Sequence, residues 1–117
     1  VIVNLTPHPV RIYTADRPDG LDDLELGLVR VIDPEPTPAR LAVLPLSTQY
    51  LEGIRVEVVE YLHTDHLPDP QEGTSLIVSL PVALALLPRR NDLLVPYSEV
   101  RSASGTVIGC RQLAQPV

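Results

Sequence analysis

"IRVEVVEYL", residues Ile54 to Leu62, decides the fold class of this chain. Ile54, Val56 and Val58 fall on one side of an extended backbone and Arg55 and Glu57 on the other, the period-2 signature of a strand. Val59 and Tyr61 then take the opposite parity. That switch predicts either a bulge near Val58 or a strand end buried on both faces.

Outward from this run, the chain is cut into short pieces. Thirteen prolines and six glycines in 117 residues leave room for strands of five to eight residues and almost none for long helices. "VIVNL" and "VRIYT" flank a proline-rich opening motif, "LVRVID" alternates, and "ARLAVLPL" reads as a strand ended by Pro45. "TSLIVS" is short, β-branched and apolar, as a central strand should be. "LLVPY", "EVRSA" and "TVIGCRQL" follow as strands, the last two joined by "SASG" with Gly105 at a position needing positive φ. "DRPDGLDDLELG" and "HTDHLPDPQEG" are turn-rich loops. One helix fits, with Ser79 as N-cap, Pro81 in its first turn and Pro88 as its stop. Its apolar residues surround the axis, which predicts a helix that is buried or plugs an open barrel end. The fold class is therefore mainly β with one short helix: a small antiparallel barrel or sandwich of about eight strands, residues 1–117 forming a single domain.

Composition narrows the functions. The hydrophobic share of 44% suffices for one core, which must be aliphatic because Phe, Trp and Met are absent. All nine basic residues are arginine, which suggests a GC-rich coding genome. The net charge of −6, with seven acids between Asp16 and Glu35, disfavours duplex nucleic acid and anionic membranes as partners. Cys110 is the only cysteine, so no internal disulfide can form, and a cytoplasmic setting is the default. No methionine opens the chain, so an initiator is expected to precede Val1. The longest apolar stretch, "LPVALALLP", is too short to span a bilayer, and a soluble protein is expected.

Several motifs offer polar chemistry. In "NLTPHPV", Thr6 and His8 each precede a proline and are biased to extended geometry. An extended bridge would set Asn4, Thr6 and His8 along one side, either satisfying a strand end or forming a recognition edge. Arg89, Arg90 and Asp92 follow the helix; they can complement its dipole, or present one ordered guanidinium fork to a phosphate. Ser79 stands at the other end, roughly 12 Å away at helical rise, so only a ligand larger than phosphate could touch both. Tyr97, close to the arginines in sequence, is the candidate for stacking on a base. His63 and His66 bracket Asp65, a weak metal pattern with no companion motif. Cys110 lies in an apolar strand, without the context of a nucleophile. No nucleotide fingerprint, phosphate loop or cofactor motif is present, and no cofactor is predicted.

Together "NLTPHPV", "LPDPQEGTSLIVS", "RRNDLLVP" and "GTVIGCRQL" resemble a group of small, mostly uncharacterised proteins encoded by bacteriophages and by actinobacteria and related bacteria. These open with an NLTPH-like motif and close with an R-x-D…G-x-x-x-G-C-like segment. The resemblance implies an origin and no particular activity. By analogy with small phage proteins, it suggests binding a host protein or sequestering a host signal. The reading that results is a non-catalytic binding protein for a small anionic, nucleotide-derived ligand in a phage counter-defence setting. Asn4, Thr6, His8, Ser79, Arg89, Arg90, Asp92 and Tyr97 are its candidate site. Two alternatives stand beside it: an interaction module whose β edges pair with a host protein or another copy, and a hydrolase using His8 or the His63/His66 pair.

Overall fold

The computed structural model describes all 117 residues and contains eight strands and one helix. In chain order these are β1 (Ile2–Asn4), β2 (Val10–Tyr13), β3 (Leu28–Ile32), β4 (Arg40–Leu51), β5 (Ile54–Asp65), β6 (Ser75–Ile77), α1 (Leu80–Ala85), β7 (Leu93–Arg101) and β8 (Val107–Ala114). Six strands form one sheet in the order β1-β6-β7-β8-β2-β3, and β4 pairs only with β5. The six-stranded sheet curls until its two edges meet, where Asn4 bridges Pro34 just beyond β3. The protein is thus mainly β, with a nearly closed barrel and a separate two-stranded hairpin.

Pairing within the barrel is mixed. β2–β3 and β7–β8 run antiparallel, while β1–β6, β6–β7 and β2–β8 are parallel. The sequence suggested antiparallel pairing throughout, but side-chain alternation has the same period in both kinds of sheet and carries no direction. A parallel neighbour needs a crossover. Between β6 and β7 that crossover contains α1.

Alternation along the strands divides the core in two. Val10, Ile32, Ile77 and Cys110, with Ile2, Ile12, Leu94 and Leu113 against them, come from all six strands and fill the barrel interior. Leu76, Val78, Leu93 and Val95 form a second cluster with Leu5, Ala39 and the helix residues Val82 and Ala83. The helix therefore lies on the outside of β6 and β7 and neither plugs the barrel nor sinks into it. It buries Val82 and Ala83 and leaves Leu80 and Leu84 exposed.

Two local features draw the barrel tight. Gly109 on β8 has no side chain because a Cβ there would lie 2.5 Å from the Arg11 carbonyl oxygen and 2.6 Å from the Tyr13 ring. Any larger residue would push β2 and β8 apart. Asn4, 1% exposed, closes the opposite seam. Its Nδ2 donates to the carbonyls of Ile32 (2.9 Å) and His8 (2.8 Å), and its Oδ1 accepts from the Thr6 amide (2.9 Å) and hydroxyl (2.7 Å). Its own carbonyl accepts from the Glu35 amide. These bonds also correct the reading of "TPHP" as an extended bridge. The backbone bends from Thr6 to His8, because the Asn4 side chain offers that loop local partners that curl it back.

Other boundaries moved for clear reasons. β4 and β5 each reach twelve residues where five to eight were expected, and β4 runs through Pro45, since a strand in a two-stranded ribbon has an open edge to which a missing N–H can face. "LLVPY" and the "EVR" of "EVRSA" belong to one strand, β7, with Ser98 at φ 57 between them, and Ser102 and Ala103 open the turn. The parity change in "IRVEVVEYL" meets an irregularity across the ladder, where β4 carries Leu46 as an extra residue opposite Val58 and Val59. Gly105 has φ +85 in the β7–β8 turn, as its position required.

Replacing Asn4 by Ala strands the buried Ile32 carbonyl and releases the loop. Urea denaturation should show a loss of about 2–4 kcal/mol. His8→Ala, which removes an exposed ring and none of the loop's hydrogen bonds, should stay within about 0.5 kcal/mol of the parent.

Candidate functional site

The largest cleft of the barrel, about 620 Å³, opens beside the Thr6–Pro9 loop. Thr6 and His8 to Arg11 line it from the loop and β2, Pro96 and Val107 to Gly109 from β7 and β8, and Ser79 stands at the start of α1. Val78 and Cys110 are fully buried and close its floor. Its size lies within the range of small-molecule sites, and so does its make-up of apolar walls with a few polar groups.

Charge gives this cleft a sign. No aspartate or glutamate lines it, although the chain carries fifteen. Arg11 lines it and forms no side-chain hydrogen bond or ion pair within the protein. Arg30 and Arg40 are also unpaired, but they are exposed, whereas Arg11 is half-buried. The remaining six arginines all donate to carbonyls or carboxylates. The His8 ring and the Ser79 hydroxyl also make no hydrogen bond, and Ser79 leaves the helix start uncapped by its side chain. The cleft thus offers one free guanidinium, one imidazole and one hydroxyl, with Thr6 at its edge. Thr6 shares its hydroxyl proton between Asn4 Oδ1 (2.7 Å) and the His8 carbonyl (3.0 Å).

The remaining candidates do not join them. Asn4 is buried and fully bonded, so it shapes the loop and does not line the cleft. Arg89 donates to the carbonyls of Leu84 (2.9 Å) and Leu86 (2.7 Å) and so caps the end of α1. Arg90 and Asp92 form a two-pronged pair, Nε to Oδ1 at 2.9 Å and Nη2 to Oδ2 at 2.7 Å, and Arg90 also donates to the Pro68 carbonyl. That pair pins the 66–74 loop, shorter than the expected 63–73 because β5 continues to Asp65, and Asp92 lines a separate, smaller cavity of about 150 Å³. Tyr97 is exposed on β7 opposite Gln112, outside the cleft. His63 Nε2 meets Asp65 Oδ1 at 2.9 Å in solvent, His66 takes φ 61, and no three potential metal ligands gather anywhere. Burial pushes the Cys110 thiol up, away from the thiolate a nucleophile requires.

The acidic loop has a role that its composition hid. Arg17, only 2% exposed, sits 4.8 Å over the Tyr13 ring and donates to the carbonyls of Asp23 (2.7 Å) and Leu26 (2.6 Å). Arg111 grips the Arg17 carbonyl from β8 and reaches Asp19. The Asp19 and Asp22 carboxylates accept from backbone amides of the β7–β8 turn. A loop with five of its acids in twelve residues is thereby wound around one buried cation, which brings Leu24 to the cleft. Arg11 and Arg17 escaped the sequence reading because each stands alone in its segment. Only contacts across the fold distinguish a bonded arginine from a free one.

No family model matches this chain, and neither a curated protein nor a solved structure matches it.

The Arg90 hydrogen bonds hold the Asp92 carboxyl below its ordinary value of 3.8, and the same contact raises Arg90. A depressed carboxyl stabilises the fold fully above its unfolded value and loses that effect as pH falls through its folded one. Denaturation measured from about pH 5 down to about pH 2 should therefore show a steeper acid loss in the parent than in Asp92→Asn. Asp19, lowered chiefly by the Arg101 amide and then by Arg111, contributes equally to both proteins.

Proposed function

We propose that this protein is a non-catalytic binding protein whose barrel cleft takes a small anionic ligand. One observation carries the reading: a half-buried, unpartnered Arg11 lines an acid-free cleft in a chain of net charge −6. A guanidinium fork matches phosphate in geometry as well as charge. The apolar walls of Pro9, Pro96 and Ile108 suit the flat face of a base, while Ser79 and His8 supply hydrogen bonds to a sugar or a second phosphate. A nucleotide-derived ligand joins these features in one molecule. Binding without turnover needs no activated nucleophile, in keeping with a buried, raised Cys110.

The resemblance to phage and actinobacterial proteins fits the same role. A small protein of this kind would act in the bacterial cytoplasm by sequestering a nucleotide signal as a counter to host defence. No helix is long and apolar enough to cross a membrane.

The test is a thermal-shift screen with mononucleotides, cyclic nucleotides and cyclic dinucleotides, alongside native mass spectrometry of the purified protein. A ligand that binds only the folded state raises the melting temperature by mass action. At least one member of the panel should do so, and Arg11→Ala should weaken its binding at least about tenfold while leaving the unliganded melting temperature unchanged. No shift across the panel and no retained small molecule would overturn the reading. Conversion of the nucleotide to a product would favour the hydrolase instead.

A further inference from the structure

The β4–β5 hairpin stands apart from the barrel sheet. Its two twelve-residue strands pair only with each other, and both outer edges are open along their length. Glu52 (φ 52) and Gly53 (φ 79) form a two-residue turn with both residues left-handed, the type whose twist suits a long ribbon. Only the base is anchored, where Leu41 packs into the cluster beneath α1. The rest projects. The radius of gyration is 16.7 Å, against about 13 Å for a compact chain of this length.

An isolated two-stranded ribbon is marginally stable in water and needs a third strand or a packed face. Beyond its anchored base this one has neither, yet it is apolar on both sides. Nine of its large hydrophobic side chains are 37% to 67% exposed, among them Leu46, Tyr50, Leu51, Ile54 and Tyr61. At roughly 150–200 Å² for each fully exposed side chain, they present on the order of 800 Å², the share one partner gives to a standard interface.

We propose that the hairpin is an assembly arm and that its partner is the same hairpin of a second copy of this chain. Two identical strands pair antiparallel about a two-fold axis only if facing residues i and j have an even sum. Centred on Val56, β5 places Arg55 opposite Glu57 and Ile54 opposite Val58, each contact occurring twice. Arg55 and Glu57 already lie side by side at 2.8 Å in one strand, so the pairing closes a ring of four alternating charges. Registers centred on Glu57 or Val58 set Arg55 against Val59 or Tyr61 and lose that match. Two marginal ribbons become one four-stranded sheet, and the exposed template at each β5 edge is consumed. This inference is independent of the ligand reading, since the arm carries none of the cleft's residues.

Light scattering on the full chain during size exclusion measures the assembly directly. The parent should run at twice the chain mass or a multiple of it, and Ile54→Asp should halve that mass with an unchanged far-ultraviolet spectrum. Arg55→Glu should weaken the dimer at least about tenfold, and the swap Arg55→Glu with Glu57→Arg should restore it. Val56→Cys should cross-link under mild oxidation, because residues facing across an antiparallel pair lie about 4.5–5.5 Å apart at Cα, within disulfide reach. Cys110 is buried and does not compete. A monomeric parent would overturn the proposal and leave the arm to a different protein. An Ile54→Asp variant that keeps the full mass would overturn it too. A dimer indifferent to the charge variants and to oxidation of Val56→Cys would overturn the register.

Discussion

Everything in this barrel depends on the meeting of its two edges at Asn4. A six-stranded sheet with open edges would leave a row of unpaired amides and carbonyls on β1 and β3. Asn4 closes that seam with its backbone, through Glu35 and Pro34, and with its side chain, through Ile32. Buried amides are costly unless fully bonded, and this one uses both of its hydrogens and accepts twice at its oxygen. The same side chain sets the curl of the Thr6–Pro9 loop. Closure of the fold and the shape of the cleft thus share one residue.

That sharing explains why a histidine stands between two prolines. The prolines stiffen the loop, Asn4 fixes its bend, and His8 is left with an exposed ring at the rim of the cleft. Its carbonyl, not its ring, carries the structural work. On the far side Gly109 admits β2 close to β8, which brings Arg11 to the same opening. A free guanidinium at a half-buried position is uncommon in a protein that bonds most of its other arginines internally.

The arm and the barrel divide the apolar residues differently. In the barrel, alternation sends one set inward to the Ile77 and Cys110 cluster and the other outward beneath α1. In the hairpin both sets meet solvent, because the ribbon has no second layer. Alternation of this quality normally marks a strand with one buried face. Here the most strand-like run of the chain, Ile54 to Leu62, has no buried residue.

The sequence by itself determined the fold class, the position of the helix and the turn at Gly105, because local geometry and proline placement act over a few residues. It also brought Thr6, His8 and Ser79 forward as site candidates, since unusual residues beside prolines and caps are visible locally. Tertiary structure alone decided the parallel pairings, the closure at Asn4 and the exclusion of the hairpin from the core. It alone separated Arg11, which has no partner, from Arg89 and Arg90, which are bonded to α1 carbonyls and to Asp92. The physical reason is the same in each case. Alternation tells which residues share a face, but what covers that face, and which donor finds an acceptor, depends on segments distant in sequence.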